Sequence, residues 1–243
     1  MQIVKVDAIT STNEYLKDYV KTSGMTTSCC LTAYRQYSGR GQRGTSWQSE
    51  AGKNLTFSVF LPRLNNFHKQ GFKLSALVAL ALHNALSKHD IPKLVIKWPN
   101  DILSRRFKIA GILIESMLNS NGTAGCVIGI GLNVNQLSFK GLPKASSLRE
   151  ITGKTFDLDG LLHGLLFEIE KIPWRYKSWS YKHTLTTYYS HLYNYNKISM
   201  FEFPDQTLAQ GIIVGVDEFG RLIVEFEDEK CKHFDVKEIQ IKH

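Results

Sequence analysis

Cysteine is scarce in this sequence, and the four present, Cys29, Cys30, Cys126 and Cys231, form no C-x-x-C pair and no regular framework. That excludes a disulfide-stapled scaffold and suits a reducing compartment. The eight histidines fall in no H-x-H or H-x-x-x-H arrangement, so the spacing gives no support for a structural zinc site. No run reaches the ~18 uninterrupted apolar residues that span a bilayer. The opening residues, MQIVKVDAITSTNEY, carry neither the apolar core nor the cleavage site of a signal peptide. The expectation is a cytoplasmic protein with no membrane association. Internal repeats and low-complexity tracts are also missing, which excludes a solenoid.

The chain has 243 residues, 43% hydrophobic and 21% charged, enough for one sizeable core and a smaller module. Its net charge of +8 favours an anionic partner, either a nucleic acid or a phosphorylated small molecule. The basic residues are scattered rather than gathered in a stripe, which weakens the nucleic-acid reading.

Between two apolar runs, Cys29 to Tyr34 and Leu55 to Leu61, lies a long connection containing Gly39, Arg40, Gly41, Gln42, Arg43, Gly44, Trp47, Gly52 and Lys53. Glycines let backbone N–H groups approach an anion, arginines add fixed charge, and Trp47 offers a flat face to a base. The stretch reads either as a lid for a phosphate-bearing ligand or as a mobile basic loop that binds nothing.

The remainder is an α+β pattern. Ile3 to Ile9 is an opening strand, followed by a helix whose apolar face is Tyr15, Leu16, Tyr19 and Val20. Ser11 with Glu14 makes a capping-box pattern, so the serine either caps that helix or faces a ligand. Phe72 to Lys88 is a helix with Leu74, Leu77, Val78, Ala81, Leu82 and Ala85 along one face, suited to covering a sheet. Leu94 to Lys97 is a strand stopped by Pro99, with Asn100 and Asp101 in the turn. That turn is either plain or a site for magnesium and triphosphate oxygens. Lys108 to Glu115 returns as a strand whose Gly111 implies a bulge or a close approach by a ligand, and Lys108 is either an edge charge or a partner for a carboxylate or phosphate. A turn is expected at 119–122, then the buried strand Cys126 to Leu132. The run Gly129 to Asn135 is half of a dinucleotide fingerprint, but Val134 replaces its last glycine, so a Rossmann reading fails. Asp157 to Glu170 is helical. From Lys197 short strands recur over about fifty residues, which suggests a small SH3-like barrel. The expected division is 1–191 and 192–243.

Five of these segments, in order, resemble motifs of the biotin protein ligase family: Ser11-Thr12-Asn13; Gly39 to Gly44 with Trp47; Lys97-Trp98-Pro99-Asn100-Asp101; Lys108 to Leu113 with Glu115; and Gly129 to Asn133. The resemblance covers nearly the whole chain and implies a mixed-sheet catalytic domain with helices on one face plus the small barrel. It implies a two-step ligase that forms biotinyl-AMP from biotin and ATP, then transfers biotin to a lysine of a biotin carboxyl carrier protein. Carried over to this chain, Ser11, Thr12, Asn13 and Gln36 would hold the biotin rings, while Arg40, Gly41 and Gln42 close over the ligand beside Lys108 and Gly111. Lys108 and Arg40 would be catalytic. Arg43, Trp47, Lys97, Asn100, Asp101, Lys108 and Asn133 would serve ATP, with Asp101 and Asn100 toward Mg2+ through the phosphates. No tightly held prosthetic group is implied.

Two departures from the family matter. Gln42 stands where one branch has arginine, and only ten residues precede Ser11, so no DNA-binding winged helix and no DNA partner are expected. A monomer or homodimer fits. The alternatives are a lipoate or octanoate attachment enzyme of the same fold, and a basic nucleic-acid-binding protein using the terminal barrel. Against the second, the last module contains Asp217, Glu218, Glu225, Glu227, Asp228 and Glu229.

Overall fold

The alternating residues that open the chain form strand β1 (Gln2–Ile9), and α1 follows (Thr12–Ser23). The computed structural model describes residues 1–62, 64, 72–119, 122–227 and 229–242, so the centre of the turn expected at 119–122 lies outside the described residues. Next come β2 (Cys29–Gln36), a small hairpin of β3 (Gly39–Arg40) and β4 (Ser46–Trp47), and β5 (Leu55–Pro62). Helix α2 (Phe72–Leu86) leads to β6 (Leu94–Lys97), β7 (Asp101–Ser104), β8 (Phe107–Asn119) and β9 (Gly122–Leu132). Four helices follow: α3 (Leu148–Thr152), α4 (Leu158–Ile169), α5 (Ile172–Ser178) and α6 (Tyr181–Tyr189).

Seven strands make one mixed sheet in the order β1-β2-β5-β9-β8-β7-β6, parallel only between β1 and β2. Strand alternation sends successive side chains to opposite faces. Cys29, Leu31, Phe60 and Val127 therefore meet Leu16 and Val20 of α1, while Cys30, Val59, Cys126 and Ile128 belong to the larger core that α2 and α4 share. The main helical layer lies on one face, as the resemblance implies, and among the described residues α1 alone crosses the other.

Two helix faces differ from expectation. Leu16 and Val20 are buried with Thr12 and Asn13, whereas Tyr15 and Tyr19 are exposed and stack with parallel rings at 6.5 Å. The inner stripe of α1 thus includes the polar residues of its first turn, because that turn faces a cleft rather than the core. Helix α2 is buried nearly all round, Ala76, Ala79, Leu80 and Leu86 joining the predicted face, because it is enclosed between the sheet and α4, α5 and α6.

The C-terminal module has strands β10 (Ile198–Glu202), β11 (Leu208–Val216), β12 (Leu222–Phe226), β13 (Cys231–Phe234) and β14 (Gln240–Ile241). They form an antiparallel sheet in the order β13-β12-β11-β10-β14. This is the expected module of short strands; among the described residues β13 and β14 are its two edges, and β14, two residues long, pairs with Phe201 and Glu202. The module is tied to the main sheet. Trp98 Nε1 donates to Gly220 O at 2.9 Å, Tyr181 OH to Asp217 O at 3.0 Å, and residues 191–193 pair with Ile96 at the sheet edge.

Candidate active site

Three glycines on β8 and β9 make the floor of a cleft. A side chain at Gly129 would run into the Asn13 amide, and one at Gly131 into the Trp47 indole. A Cβ on Gly111 would stand 3.1 Å from Trp47 and 3.4 Å from Lys108 Nζ. Within the protein itself Trp47 and Lys108 stand closest to Gly111, and the β7–β8 pairing shifts register beside it, between Ile102 and Leu103. The cleft above this floor has a volume of about 420 Å³, within the range of small-ligand sites.

One wall is the start of α1 with the end of β2. Ser11 occupies the cap position, yet its side chain makes no capping bond, and Glu14 pairs instead with Arg40 at 2.6 Å. The capping box is therefore not formed, and Ser11 lines the cleft. Thr12 donates from its backbone N–H to Gln36 Oε1 at 2.9 Å, and its Oγ1 lies 3.2 Å from the same oxygen. Behind them Ser58 Oγ lies 2.8 Å from Thr12 Oγ1 and 2.5 Å from Asn13 Oδ1. Asn13 Nδ2 donates to Glu115 Oε2 at 2.8 Å, and Lys17 Nζ to Glu115 Oε1 at 2.6 Å. Burial works against ionisation of Glu115, but the bonds from Lys17 and Asn13 outweigh it and hold the carboxyl below its usual range.

The glycine-rich connection folds over the cleft as the β3–β4 hairpin. Its tip is a short 3-10 turn, Gln42–Gly44, in which Arg43 adopts φ 49°. Left-handed backbone at a non-glycine residue is costly, and here it is met by contacts from the C-terminal module. Arg43 Nη1 donates to Val236 O at 2.5 Å and Nη2 to Asp235 Oδ1 at 3.1 Å, while Lys237 Nζ donates to Arg43 O at 3.1 Å. Trp47 closes the floor with Lys108 Nζ 5.6 Å from its ring, and Arg40 remains 60% exposed.

The other end is charged. Lys108 Nζ meets Asp101 Oδ1 at 2.7 Å, and Asn100 Nδ2 donates to Ile112 O at 2.6 Å. Lys97 is half-buried beside them, and desolvation lowers its pKa against the opposing pull of Asp101.

The cleft thus gathers Ser11, Thr12, Asn13, Gln36, Arg40, Gly41, Gln42, Trp47, Asn100, Asp101, Lys108 and Gly111. Three sequence-predicted residues lie outside it. Arg43 faces the C-terminal module. Lys97 lines a smaller cavity of about 210 Å³ that shares Pro99 and Asp101 with the main one. Asn133 is buried under β8, its Nδ2 bonded to Ser146 O at 3.0 Å and its backbone N–H to Ile109 O at 2.8 Å, and so braces the strand that carries Lys108. Sequence reasoning missed Ser58, whose signal was a hydroxyl two residues after that of Thr56 inside the otherwise apolar strand LTFSVFLP. It also missed Val236, Lys237 and Gln240, which line the cleft from the distant module and carry no local signal.

Comparison with known proteins places these features in context. Residues 6–133 match the Biotin/lipoate A/B protein ligase family, and residues 201–241 the Biotin protein ligase C terminal domain. The bifunctional ligase/repressor BirA of Escherichia coli (strain K12) is 36% identical over 134 residues, 54% of this chain and 40% of that protein. The biotin--[acetyl-CoA-carboxylase] ligase of Paracoccus denitrificans is 38% identical over 113 residues, 46% of each chain. The matched stretches thus span less than half of either relative. Among solved structures, the biotin protein ligase from Aquifex aeolicus in complex with biotin and ATP aligns over 100% of this chain and 99% of its own, with a TM-score of 0.80 at 26% identity.

Proposed function

Because the chain belongs to the biotin/lipoate A/B protein ligase family, we propose that it is an ATP-dependent biotin protein ligase. The observation that carries this reading is the cleft itself: a neutral hydrogen-bonding end at Ser11, Thr12 and Gln36 and a charged end at Lys108, Asp101 and Asn100, covered by a lid bearing Arg40. The neutral end suits a ureido ring, which both donates and accepts. The charged end suits a carboxylate meeting a triphosphate.

In the proposed reaction the biotin carboxylate oxygen attacks the α-phosphorus of ATP, the bond to the β-phosphate oxygen breaks, and pyrophosphate leaves. A carrier lysine amine then attacks the carbonyl of the mixed anhydride, loses a proton, and expels AMP. No side chain acts as a covalent nucleophile; the gain comes from positioning and charge stabilisation. Lys108 exchanges Asp101 for the carboxylate and α-phosphate as negative charge builds between them. Trp47 packs against adenine. Gly41, Gln42 and Arg40 close the lid, which shields the anhydride from water. Gly111 lets Lys108 and Trp47 approach the floor, Asn133 braces the Lys108 strand from below, and Arg43 and Lys97 serve the nucleotide indirectly, from the lid latch and the adjoining cavity.

Among the described residues Asp101 is the one carboxylate lining the cleft, and Mg2+ commonly binds one or two carboxylates together with substrate phosphates. With the Asn100 carbonyl it fits such an ion, which would neutralise phosphate charge. The proposed partner is a biotin carboxyl carrier protein of a biotin-dependent carboxylase, met in the cytoplasm, and the modules divide near Leu192. No helix among the described residues is long and apolar enough to cross a membrane.

Transfer tests the proposal. With ATP and Mg2+, the protein should attach biotin to an isolated carrier domain and leave a lysine-to-arginine version unmodified. Attachment of lipoate or octanoate in preference to biotin would move the assignment to the other branch of the family.

A further inference from the structure

Asn13 sits in the motif that faces the ligand, yet its side chain is already occupied. It is 3% exposed. Nδ2 donates to Glu115 Oε2 at 2.8 Å, with Leu113 O at 3.5 Å, and Oδ1 accepts from Ser58 Oγ at 2.5 Å. A primary amide offers two donors and one acceptor oxygen, so little of this group is left for a ligand. Gly129 beneath it has no room for a side chain, which locks the amide in place.

The consequences propagate toward the cleft. The single hydroxyl hydrogen of Ser58 is committed to Asn13 Oδ1, which can only accept. Thr12 must then spend its own hydroxyl hydrogen on Ser58 Oγ or on Gln36 Oε1, 2.8 and 3.2 Å away, and Gln36 Oε1 also takes the Thr12 backbone N–H. What remains for a ligand is fixed in sign: an accepting lone pair on Thr12 Oγ1, the donating amide of Gln36, and the uncommitted hydroxyl of Ser11. The far end is held by charge, because Lys17 pairs with Glu115 Oε1 at 2.6 Å and keeps the carboxylate accepting from Asn13. Hydrogen bonds in such chains reinforce one another, and a chain missing one member loses its direction.

We propose that Ser58 and Glu115 are positioning residues for the acid substrate: by gripping both ends of the Asn13 amide they set which atoms of Thr12 and Gln36 donate and which accept toward the ureido ring. Asn13 is then the hub of the wall rather than a direct ligand contact. Among the described residues, the side-chain hydrogen bonds of Ser58 and Glu115 go to Thr12, Asn13 and Lys17 and not to Lys108, Asp101 or Asn100. This deepens the ligase reading and rests on it for the identity of the ring.

The test compares the parent with Ser58→Ala and Glu115→Gln. The first removes the donor to Asn13. The second places an amide between two donors, Asn13 and Lys17, so that one bond must be lost. Ser58 is fully buried and Glu115 partly exposed, so Glu115→Gln carries the test should Ser58→Ala fail to fold. Biotin binding is measured by calorimetry without ATP, and adenylate formation by pyrophosphate release on the same preparations. Each variant should weaken biotin binding and raise the KM for biotin about tenfold, the worth of one buried hydrogen bond. The KM for ATP and kcat should stay within about twofold. The double variant should lose less than the product of the two, since both act on one amide. Unchanged biotin binding, or equal shifts in the KM values of biotin and ATP, would overturn the positioning roles. A parent that binds biotin but releases no pyrophosphate would contradict the ligase reading alone, and calorimetry would still decide this one.

Discussion

At the scale of single residues, Lys108 and His83 show how surroundings set a role. Lys108 is half-exposed and paired with Asp101, and in the proposed reaction its ammonium moves to the incoming anion. Lys108→Ala should lower the rate of adenylate formation by about 10²–10³-fold, the usual cost of removing one charge-stabilising donor, with a much smaller effect on biotin binding. Comparable losses in rate and in biotin affinity would mean that the lysine only binds. His83 is 7% exposed, its ring 4.0 Å from that of His191, with Nε2 3.3 Å from Leu94 O. Burial first, and the second imidazole next, push its pKa below the ordinary 6.5. Such a group stays neutral in the fold while the unfolded chain takes up a proton. Its contribution to stability is therefore complete above pH 6.5 and is lost as pH falls through the depressed folded value. Thermal melting between pH 7.5 and 5 should show this fall, and His83→Asn should flatten it. An unchanged slope would assign the effect to other groups.

At the scale of elements, the β3–β4 hairpin is the part that moves between sequence and function. Arg43, Asp235, Val236 and Lys237 latch its tip to the C-terminal module, while Arg40 is held at its base by Glu14. Arg43→Ala and Arg40→Gly should each shorten the lifetime of enzyme-bound adenylate several-fold in a chase experiment, because a lid of this kind excludes water. Lifetimes equal to the parent's would mean that the hairpin does not retain the intermediate. The lid residues were legible because glycines and arginines between two apolar runs have few other uses. The latch was not, since Arg43 lies 192 residues from Asp235 and nothing local marks the pair. Similarly, the strand pattern gave β5 and β9, but the reasons for Gly129 and Gly131 appear only when Asn13 and Trp47 lie on top of them. Tyr15 and Tyr19 were misread because helical periodicity locates a stripe without saying which stripe faces the sheet.

At the scale of the whole molecule, two modules share one cleft: Lys237 and Gln240 line it from the C-terminal sheet, and Trp98 anchors that sheet through Gly220. The recurring short strands of the C-terminal sheet were legible from the turns between them, whereas β14 was not, because two residues carry no alternation to read. The net charge of +8 acts at this scale on encounter with a macromolecule. Raising ionic strength from 0.05 to 0.3 M, on the order of a twofold shortening of the screening length, should slow transfer to an acidic carrier and leave carrier-free adenylate formation nearly constant. Equal slowing of both would place the salt effect inside the cleft. The most direct test of the central claim needs no carrier. The purified protein is incubated with biotin, ATP and Mg2+ and the products are read by mass spectrometry. The account predicts biotinyl-AMP and pyrophosphate with biotin and none with lipoate or octanoate; absence of an adenylate with all three acids would contradict it.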